Sequence, residues 1–360
     1  MSEHFDIAVV GSGAAGIAAA VCAARAGGKT LLLDKNSAAG GTGGFSGLTT
    51  LCGLYDDAGK FLNDGFAREF ADAITEVPPL KAGRVWLLPY RPETFRAVAE
   101  KLLTSLTNLK TAWQTPMQTL KSDGNRIVSL NEFSVGAVID CSGHAEAGRL
   151  SGAELMATDE STQAPAVVFT LGGVTREINS PADAARVLLP VVRAGFAPLN
   201  FHFNLEPGSL TAKFSGSPEE VPALVDFLKK NVPGFEKCAS AQTEFFVSRR
   251  AGNMVVGQYI LTGADAWGAK KFPDAVARCA WPLEQWDNRG KSNLRWLPAG
   301  EHYEIPARSL RAANVENLFM AGKTISADAD AMASARVMGC CLATGAAAGN
   351  LAANYLNSRK

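Results

Sequence analysis

Three glycines, Gly11, Gly13 and Gly16, have a spacing that could serve chemistry directly. They follow the apolar run 5–10 and precede the alanine-rich run 17–26, so the pattern predicts a strand, a tight turn and a helix. Gly11 permits the turn, Gly13 lets a diphosphate approach the backbone, and Gly16 lets the helix pack closely on the strand. Because the first N–H groups of a helix are unpaired, they attract phosphate charge. The pattern therefore predicts a dinucleotide site at the start of the first helix.

A single carboxylate, that of Asp34, supports this interpretation. It ends the second predicted strand, 29–34, eighteen residues after Gly16. A carboxylate at this position accepts hydrogen bonds from a ribose diol and would repel a 2′-phosphate. A glycine-rich turn without a ligand is the alternative interpretation. It is disfavoured because Ala20, Gly27 and Asp34 all keep the register of a dinucleotide site.

Three features of the sequence favour FAD over NAD. The last strand and helix of the predicted dinucleotide half, 317–321 and 333–357, lie at the C-terminal end. The glycine-rich stretch 40–47 follows the acidic strand and offers bare backbone to a ribityl chain and flavin ring. We expect regular structure there only if the stretch lies against something that demands bare backbone. The segment 321–326 leads to a helix whose positive end would stabilise an anionic reduced flavin. No second Gly-x-Gly-x-x-Gly is present, so no separate nicotinamide domain is predicted.

The order of the predicted elements indicates an α/β fold. We expect a Rossmann-type FAD-binding domain with a parallel sheet, interleaved with a mixed α+β substrate or cap domain. The FAD-binding domain is predicted to comprise residues 1–55, 91–150 and 300–360, and the substrate domain residues 56–90 and 151–299. Within the substrate domain, hydrophobic periodicity predicts strands at 166–171 and 201–205 and helices at 181–194 and 218–230.

Seven short motifs are spread along the chain. They are Val9-Val-Gly-Ser-Gly-Ala-Ala-Gly-Ile-Ala-Ala-Ala, Gly40-Gly-Thr-Gly-Gly, Val138-Ile-Asp-Cys-Ser-Gly, Ser248-Arg-Arg, Tyr303-Glu-Ile-Pro-Ala-Arg-Ser-Leu, Asn317-Leu-Phe-Met-Ala-Gly-Lys-Thr-Ile-Ser-Ala and Ser334-Ala-Arg-Val-Met-Gly-Cys-Cys-Leu-Ala-Thr-Gly-Ala-Ala-Ala-Gly. In these motifs the sequence resembles the FAD-dependent oxidoreductase family, which is related to the fumarate reductase and thiazole-synthase flavoproteins. The resemblance implies FAD, a glutathione-reductase-type dinucleotide fold and a redox reaction. It is thin at 55–90 and 175–240, the regions expected to choose the substrate.

The sequence departs from the family pattern near its C-terminal end. Family members often carry Arg where Lys323 stands, and His-Glu where Ala329 and Asp330 stand. If that histidine serves catalysis in relatives, this chain lacks it. Aromatic hydroxylases that share the cofactor fold carry Gly-Asp where Gly322 and Lys323 stand, which weighs against the hydroxylase subgroup.

The glycine motif and the resemblance together predict the FAD contacts. For Cys341, contact with the flavin and simple packing are both open, and a thiol at a helix start is easily made acidic. The predicted FAD-binding residues are Gly11, Ser12, Gly13, Ala14, Ala15, Gly16, Asp34, Lys35, Gly41, Thr42, Gly43, Ser142, Gly143, Gly322, Lys323, Ser326, Met338 and Cys341.

Arginines and one histidine are the candidates for contact with a substrate. Arg336, near the start of the last predicted helix, opposes the helix dipole and so needs an anion: the flavin, an anionic substrate or a neighbouring aspartate. Arg249, Arg250 and Arg308 could clamp a carboxylate, with surface ion pairs as the alternative. His202 is expected to face the active site as a general acid or base with a pKa near neutrality, or to be a buried polar residue. The predicted catalytic residues are Arg249, Arg308, Arg336 and His202.

Composition excludes several classes of protein. Lys and Arg number 35 and Asp and Glu number 35, so there is no surplus of cations with which to bind nucleic acid. The seven cysteines include no Cys-x-x-Cys pair, which argues against a disulfide framework and a metal site and for a reducing cytoplasm. The apolar run 332–356 contains Arg336, so no membrane span is predicted.

The sequence thus predicts an FAD-dependent oxidoreductase that transfers a hydride between a small organic substrate and flavin N5. The arginines suggest that this substrate is anionic. One alternative is a flavin-binding partner or maturation factor that acts on another protein. A flavin monooxygenase using NAD(P)H is the other. A protein redox partner and an oligomer stay open.

Overall fold

The computed structural model describes residues 3–159, 163–178, 181–202, 204–242, 245–287 and 292–359. The α-helices of this part of the chain are α1 (Ala14–Arg25), α2 (Gly41–Phe45), α3 (Phe66–Ile74), α4 (Pro92–Thr104), α5 (Glu146–Ser151), α6 (Pro181–Arg193), α7 (Val221–Asn231), α8 (Gly263–Trp267), α9 (Ala329–Ala335) and α10 (Met338–Asn357). Short 3₁₀ helices lie at Pro218–Glu220, Ala307–Leu310 and Gly322–Thr324.

The strands of the same residues form several sheets. They are β1 (His4–Val10), β2 (Thr30–Leu33), β3 (Thr50–Leu51), β4 (Leu80–Ala82), β5 (Val85–Pro89), β6 (Leu109–Ala112), β7 (Leu120–Asp123), β8 (Arg126–Leu130), β9 (Phe133–Asp140), β10 (Leu155–Ala157), β11 (Ala166–Gly172), β12 (Leu199–His202), β13 (Leu210–Phe214), β14 (Ala239–Ser240), β15 (Phe246–Ser248), β16 (Asn253–Val255), β17 (Ala275–Cys279), β18 (Leu283–Trp286), β19 (Ser292–Arg295), β20 (Tyr303–Pro306) and β21 (Leu318–Met320). Of the predicted strand 201–205, residue 203 lies outside the described residues.

The main sheet has the strand order β6-β2-β1-β9-β8-β7, and β21 also pairs with β9. Strands β6, β2, β1, β9 and β21 are parallel, whereas β7, β8 and the start of β9 pair antiparallel. Both faces of a parallel sheet are covered, so its strands are apolar on both sides, as Ile7, Val9 and Ile139 show by complete burial. The predicted α/β fold with a Rossmann-type parallel sheet is confirmed. The domain boundaries given above stay a prediction.

Helices α1 and α10 pack on one face of this sheet with almost no side chain between them. The Cβ that Gly349 lacks would lie 2.5 Å from the carbonyl oxygen of Ala19, and one at Gly345 would clash with the backbone of Ala15. Alanines fill the remainder of both contact faces and are buried. The two helices therefore meet backbone to backbone, which fixes the start of α1 against the start of α10.

A second, antiparallel sheet has the order β12-β13-β11-β14, and β15 also pairs with β11. Successive side chains along each of its strands point to opposite faces of the sheet. One face, with Phe214, packs on α6 and α7 in an apolar core. The other face is polar and carries His202, Thr211 and Lys213, because His202 pairs with Thr211 and Lys213 follows two residues later. Thr211 Oγ1 lies 3.0 Å from Thr49 Oγ1, so the polar face turns toward the segment after α2.

The glycine-rich stretch 40–47 contains the short helix α2 rather than irregular structure. A Cβ at Gly41 would lie 2.8 Å from Gly13 Cα, and one at Gly43 would lie 2.6 Å from the ring of Phe95. The stretch thus meets the condition under which regular structure was expected here, because it packs against neighbours that demand bare backbone. The glycines instead let a turn of helix lie directly on the turn that follows β1.

The predicted helix 333–357 is two helices, α9 and α10, bent by 97° at their junction. Val337 is extended there, with φ −66° and ψ 149°, and Gly339 N donates to the Cys52 carbonyl at 2.8 Å. Contact with the chain around Gly53 therefore replaces one turn of helix. In the part of the chain that the structure describes, no single helix is long and apolar enough to span a membrane, although α9 and α10 together pass that test by length and composition.

We expect Gly349→Ala to lower the free energy of unfolding by about 1–3 kcal/mol, because the added methyl group would push α10 away from α1. Helix propensity alone would make the alanine variant more stable, so a loss of stability can be attributed to the close contact between the two helices. Asn350→Ala, at the adjacent exposed position of α10, is the control and should change stability by less than about 0.5 kcal/mol. Denaturant unfolding of both variants is the measurement, and equal stability of the two would contradict the packing described here.

Candidate functional site

A cleft opens where β1, β2 and β9 end at the carboxyl edge of the main sheet, beside the start of α1. One wall is formed by α2 and the other by the segment 142–146, Phe246 and Val247 of β15, the 3₁₀ helix at 322–324 and the start of α10. Ligands of open α/β sheets bind at this edge, in the crevice outside the carboxyl ends of the strands. The cleft therefore lies where a dinucleotide would bind in such a sheet.

The turn between β1 and α1 leaves space only at its middle glycine. Gly11 has φ +95°, and a Cβ there would lie 2.6 Å from the Cys141 carbonyl oxygen. A Cβ at Gly16 would clash with the carbonyl of Gly11, whereas one at Gly13 would meet nothing within 4 Å. No side chain caps α1, and its first turn carries no acidic residue. The start of the helix thus offers uncapped N–H groups to the cleft, which fits a diphosphate.

Asp34 lies in the cleft but is already well hydrogen-bonded by the protein. One carboxylate oxygen accepts from the backbone and hydroxyl of Ser12 at 2.6 and 2.7 Å, and the other accepts from the backbone and side chain of Asn36 at 2.8 Å each. These four bonds use most of the lone pairs of a carboxylate. Asp34 therefore fixes the glycine turn in place, and its contact with a ribose stays a prediction.

The wall formed by α2 is held from behind. The Tyr90 hydroxyl donates to the Gly43 carbonyl at 2.9 Å, and the Arg96 guanidinium donates to the Gly44 carbonyl. With those carbonyls engaged, the short helix presents backbone and the Thr42 side chain to the cleft. A wall without bulky side chains can approach a flat ligand closely.

The opposite wall combines a cation with buried thiols. Lys323 donates to the Arg249 carbonyl at 2.7 Å, and burial together with nearby Arg336 lowers its pKa to about 8. Cys341 donates to the Arg336 carbonyl at 3.3 Å, and burial raises its pKa to about 12. The thiol is therefore protonated, so the start of α10 does not make this cysteine acidic. Met338 lines the cleft beside it.

Most of the predicted FAD-binding residues lie together in this cleft. Two do not line it: Gly16 packs behind the turn, and Ser326 is fully buried beside Gly257. The lining also includes Asn36, His144 and Glu146, which the sequence analysis did not assign to the cofactor. The predicted residues that line the cleft are Gly11, Ser12, Gly13, Ala14, Ala15, Asp34, Lys35, Gly41, Thr42, Gly43, Ser142, Gly143, Gly322, Lys323, Met338 and Cys341.

Arg336 lies at the junction of α9 and α10, where it lines the end of the cleft. Its Nη2 donates to Gln163 Oε1 at 3.2 Å and to the Glu284 carbonyl at 3.3 Å. Its buried Nε has no hydrogen-bond partner in the described residues. Asp328 instead caps α9, and Asp330 accepts from Gln285, so neither neighbouring aspartate accounts for Arg336.

Arg250 is a second buried guanidinium, with 5% of its surface exposed. Its Nη1 donates to the Ala164 carbonyl, while its Nη2 is buried and has no partner in the described part of the chain. The guanidinium carbon lies 4.8 Å from the centre of the Trp286 ring, and Lys213 Nζ lies 4.4 Å from the same centre. Arg250 and Lys213 therefore both lie over the ring of Trp286.

The pKa values of Lys213, Arg250 and Glu284 are shifted because these groups lie close to one another and to Arg336. Burial, Arg250 and Arg336 lower the pKa of Lys213 to about 8, with Glu284 opposing. Burial and Arg336 lower the pKa of Arg250 to about 10. Burial alone would raise the pKa of Glu284, but Lys213, Arg336 and Arg250 outweigh it and the pKa falls below its ordinary value. We call the side chains of Lys213, Arg250, Glu284 and Arg336 the cation cluster.

His202 lies at the edge of the cation cluster, on the polar face of the second sheet. Its Nε2 is buried and has no hydrogen-bond partner within the described ranges. Burial, followed by Lys213, lowers its pKa to about 4. The imidazole is therefore neutral at pH 7, because burial beside cations disfavours the protonated ring. Of the two interpretations of His202, the one that gives it a pKa near neutrality is not supported.

The other predicted arginines have different surroundings. Arg308 forms a salt bridge with Asp274 at 3.0 Å, 46% of its side chain is exposed, and it does not line the cleft. Arg249 lines the cleft. Sequence reasoning missed Lys213 and Glu284. The alternation of Leu210-Thr-Ala-Lys-Phe214 does signal a polar strand face, but it does not say what that face covers.

Comparison with known proteins identifies the family. The family described as FAD dependent oxidoreductase matches residues 6–202 and 194–360. The chain belongs to this family. FAD is its cofactor, and the chain is an FAD-dependent oxidoreductase. A search of the curated proteins gives no match.

Solved structures share the fold at low sequence identity. A geranylgeranyl bacteriochlorophyll reductase-like protein from Thermoplasma acidophilum is 14% identical, with a TM-score of 0.52 over 99% of this chain and 80% of its own. GidA from Aquifex aeolicus is 13% identical, with a TM-score of 0.56 over 99% of this chain and 66% of its own. A flavin-dependent brominase is 10% identical, with a TM-score of 0.53 over 98% and 80%. At these identities the likeness shows the fold alone.

We expect Gly13→Val to weaken FAD binding by about tenfold or more, because the side chain would enter the space that the backbone leaves for the diphosphate. The fold should persist, since a Cβ at this position meets no atom within 4 Å. Ala26→Val, at the exposed opposite end of α1, is the matched control. The measurement is FAD affinity by flavin fluorescence quenching, and unchanged affinity for the Gly13 variant would place the diphosphate elsewhere.

Proposed function

We propose that the chain transfers a hydride between a small organic acid and flavin N5. The observation that carries this proposal is the pair of guanidiniums of Arg250 and Arg336, each with a buried N–H group that has no partner in the described residues. Burial of a charged donor without a partner is costly, so such groups point to an anionic ligand. A carboxylate matches the planar donors of a guanidinium.

The position of Arg336 supports binding of the acid beside the cofactor. Arg336 lines the cleft in which the FAD-binding residues lie, and its guanidinium also reaches Gln163 outside that cleft. An acid held by Arg336 and Arg250 would therefore sit next to the bound cofactor. FAD supplies an acceptor or donor for a hydride when it is bound there.

The remaining polar groups would orient the acid by hydrogen bonds without adding positive charge to the site. His202 is neutral, so its free Nε2 can form a hydrogen bond with a substrate hydroxyl or carbonyl without adding positive charge. Gln163 Nε2 donates to the Glu284 carbonyl at 3.2 Å, and this bond holds its Oε1 against Arg336. Arg336 is thus fixed before a substrate arrives, which lowers the entropic cost of binding.

We expect Arg250→Met and Arg336→Met each to reduce the second-order rate constant of anaerobic flavin reduction by an oxidisable organic acid about 10- to 100-fold, the loss typical of one charge-assisted hydrogen bond. The matched control is Arg308→Met, because Arg308 pairs with Asp274 away from the cleft. A panel of 2-hydroxy and 2-amino acids would be screened first by bleaching of the flavin absorbance. Flavin content and melting temperature check that each variant folds.

Two results would contradict the proposal. Equal rates of flavin reduction for all three arginine variants would show that the cation cluster does not bind the substrate. Flavin reduction by NAD(P)H with oxygen uptake, and by no organic acid, would favour the monooxygenase alternative.

A further inference from the structure

A third cation, Lys213, faces the two arginines from a different element. Arg250 follows β15 and Arg336 ends α9, whereas Lys213 projects from the polar face of β13. Its ammonium group lies 4.4 Å from the centre of the Trp286 ring, and Arg250 lies on the same ring at 4.8 Å. The three cations therefore surround one region from the sheet side and the helix side.

The charges of the cation cluster do not balance in the described residues. Lys213, Arg250 and Arg336 contribute three positive charges and Glu284 one negative charge, which leaves two positive charges. In the described part of the chain the hydrogen bonds of Arg250 and Arg336 go to carbonyl and amide oxygens and not to carboxylates, and His202 is neutral. The aromatic face of Trp286 attracts cations only weakly compared with an anion.

We propose that the substrate is a compact dianion whose second acidic group binds Lys213, while its first binds Arg250 and Arg336. This inference rests on the proposed function, because it assumes that the cluster binds the substrate. Two acidic groups would cancel the two uncompensated charges. Glu284 would repel a third acidic group and so limit the charge that the site accepts. Lys213 is then the residue that distinguishes diacids from monoacids.

The test compares matched acids as ligands of the FAD-loaded protein. Glutarate and pentanoate, and malonate and propanoate, differ within each pair in one carboxylate, and their binding is followed by the change in flavin absorbance. The expected result is that the better diacid binds about tenfold more tightly than its monoacid. Lys213→Met should weaken the diacid about tenfold and the monoacid less than about threefold. Lys213→Arg should keep the preference, and Lys230→Met, exposed on α7, is the control.

A pH profile of the unsubstituted protein gives a second readout that needs no variant. The groups that face Lys213 are Arg250, Arg336, Glu284, Cys52 and His202. Between pH 7 and about 9 Arg250, with a pKa of about 10, stays protonated, Glu284, whose pKa is lowered, stays ionised, and His202 stays neutral. Lys213 is charged below its pKa of about 8 and neutral above it. Lys323, beside Arg336, also has a pKa of about 8 and acts on both acids alike. Diacid affinity should therefore fall more steeply than monoacid affinity as the pH rises through about 8.

The outcomes separate this inference from the function on which it rests. If monoacids and diacids bind equally, and Lys213→Met weakens neither, the dianion is wrong although the proposed function stands. If no acid changes the flavin spectrum at any pH, both fail. If Lys213→Met does not fold, a diacid affinity that is flat between pH 7 and about 9 overturns the inference.

Discussion

The close approach of backbone to backbone around the start of α1 is the constraint on which the rest of the structure depends. Gly11 lies against the end of β9, Gly16 against Gly11, and α10 against α1 through Gly345 and Gly349. No side chain can enter these contacts without displacing an element. They place the start of α1, α2 and the start of α10 around one cleft, which is the arrangement that an FAD molecule needs.

In the cation cluster, the arginines form hydrogen bonds with neutral oxygens and not with carboxylates. Elsewhere in the described residues arginines pair with carboxylates at the surface, as Arg308 does with Asp274 and Arg25 with Glu69. Near the cleft, Arg250 and Arg336 instead hold carbonyl and amide oxygens, which fix the guanidiniums but leave their charge uncompensated. Burial of unpaired positive charge lowers the stability of the fold, and an anionic ligand that paired with these guanidiniums would offset that loss on binding.

The sequence allowed the cofactor half to be predicted and much less of the substrate half. Gly11, Gly13 and Gly16 act through local geometry that a short motif encodes, so their neighbours could be assigned without a structure. The cation cluster depends on the meeting of β13, β18 and the junction of α9 and α10, which lie far apart in the chain. No spacing rule joins Lys213 to Arg336. The bend before α10 was missed because its cause, contact with Gly53, is equally remote.

The two faces of the second sheet suggest how this protein could acquire new specificity. Phe214 and its apolar neighbours belong to the core with α6 and α7, whereas Thr211 and Lys213 alternate with them and take no part in that core. Because strand alternation places the core residues on one face and the residues proposed to bind the substrate on the other, mutations on the second face can accumulate without unfolding the core. Divergence among relatives should therefore be fastest at every other position of β11, β12 and β13.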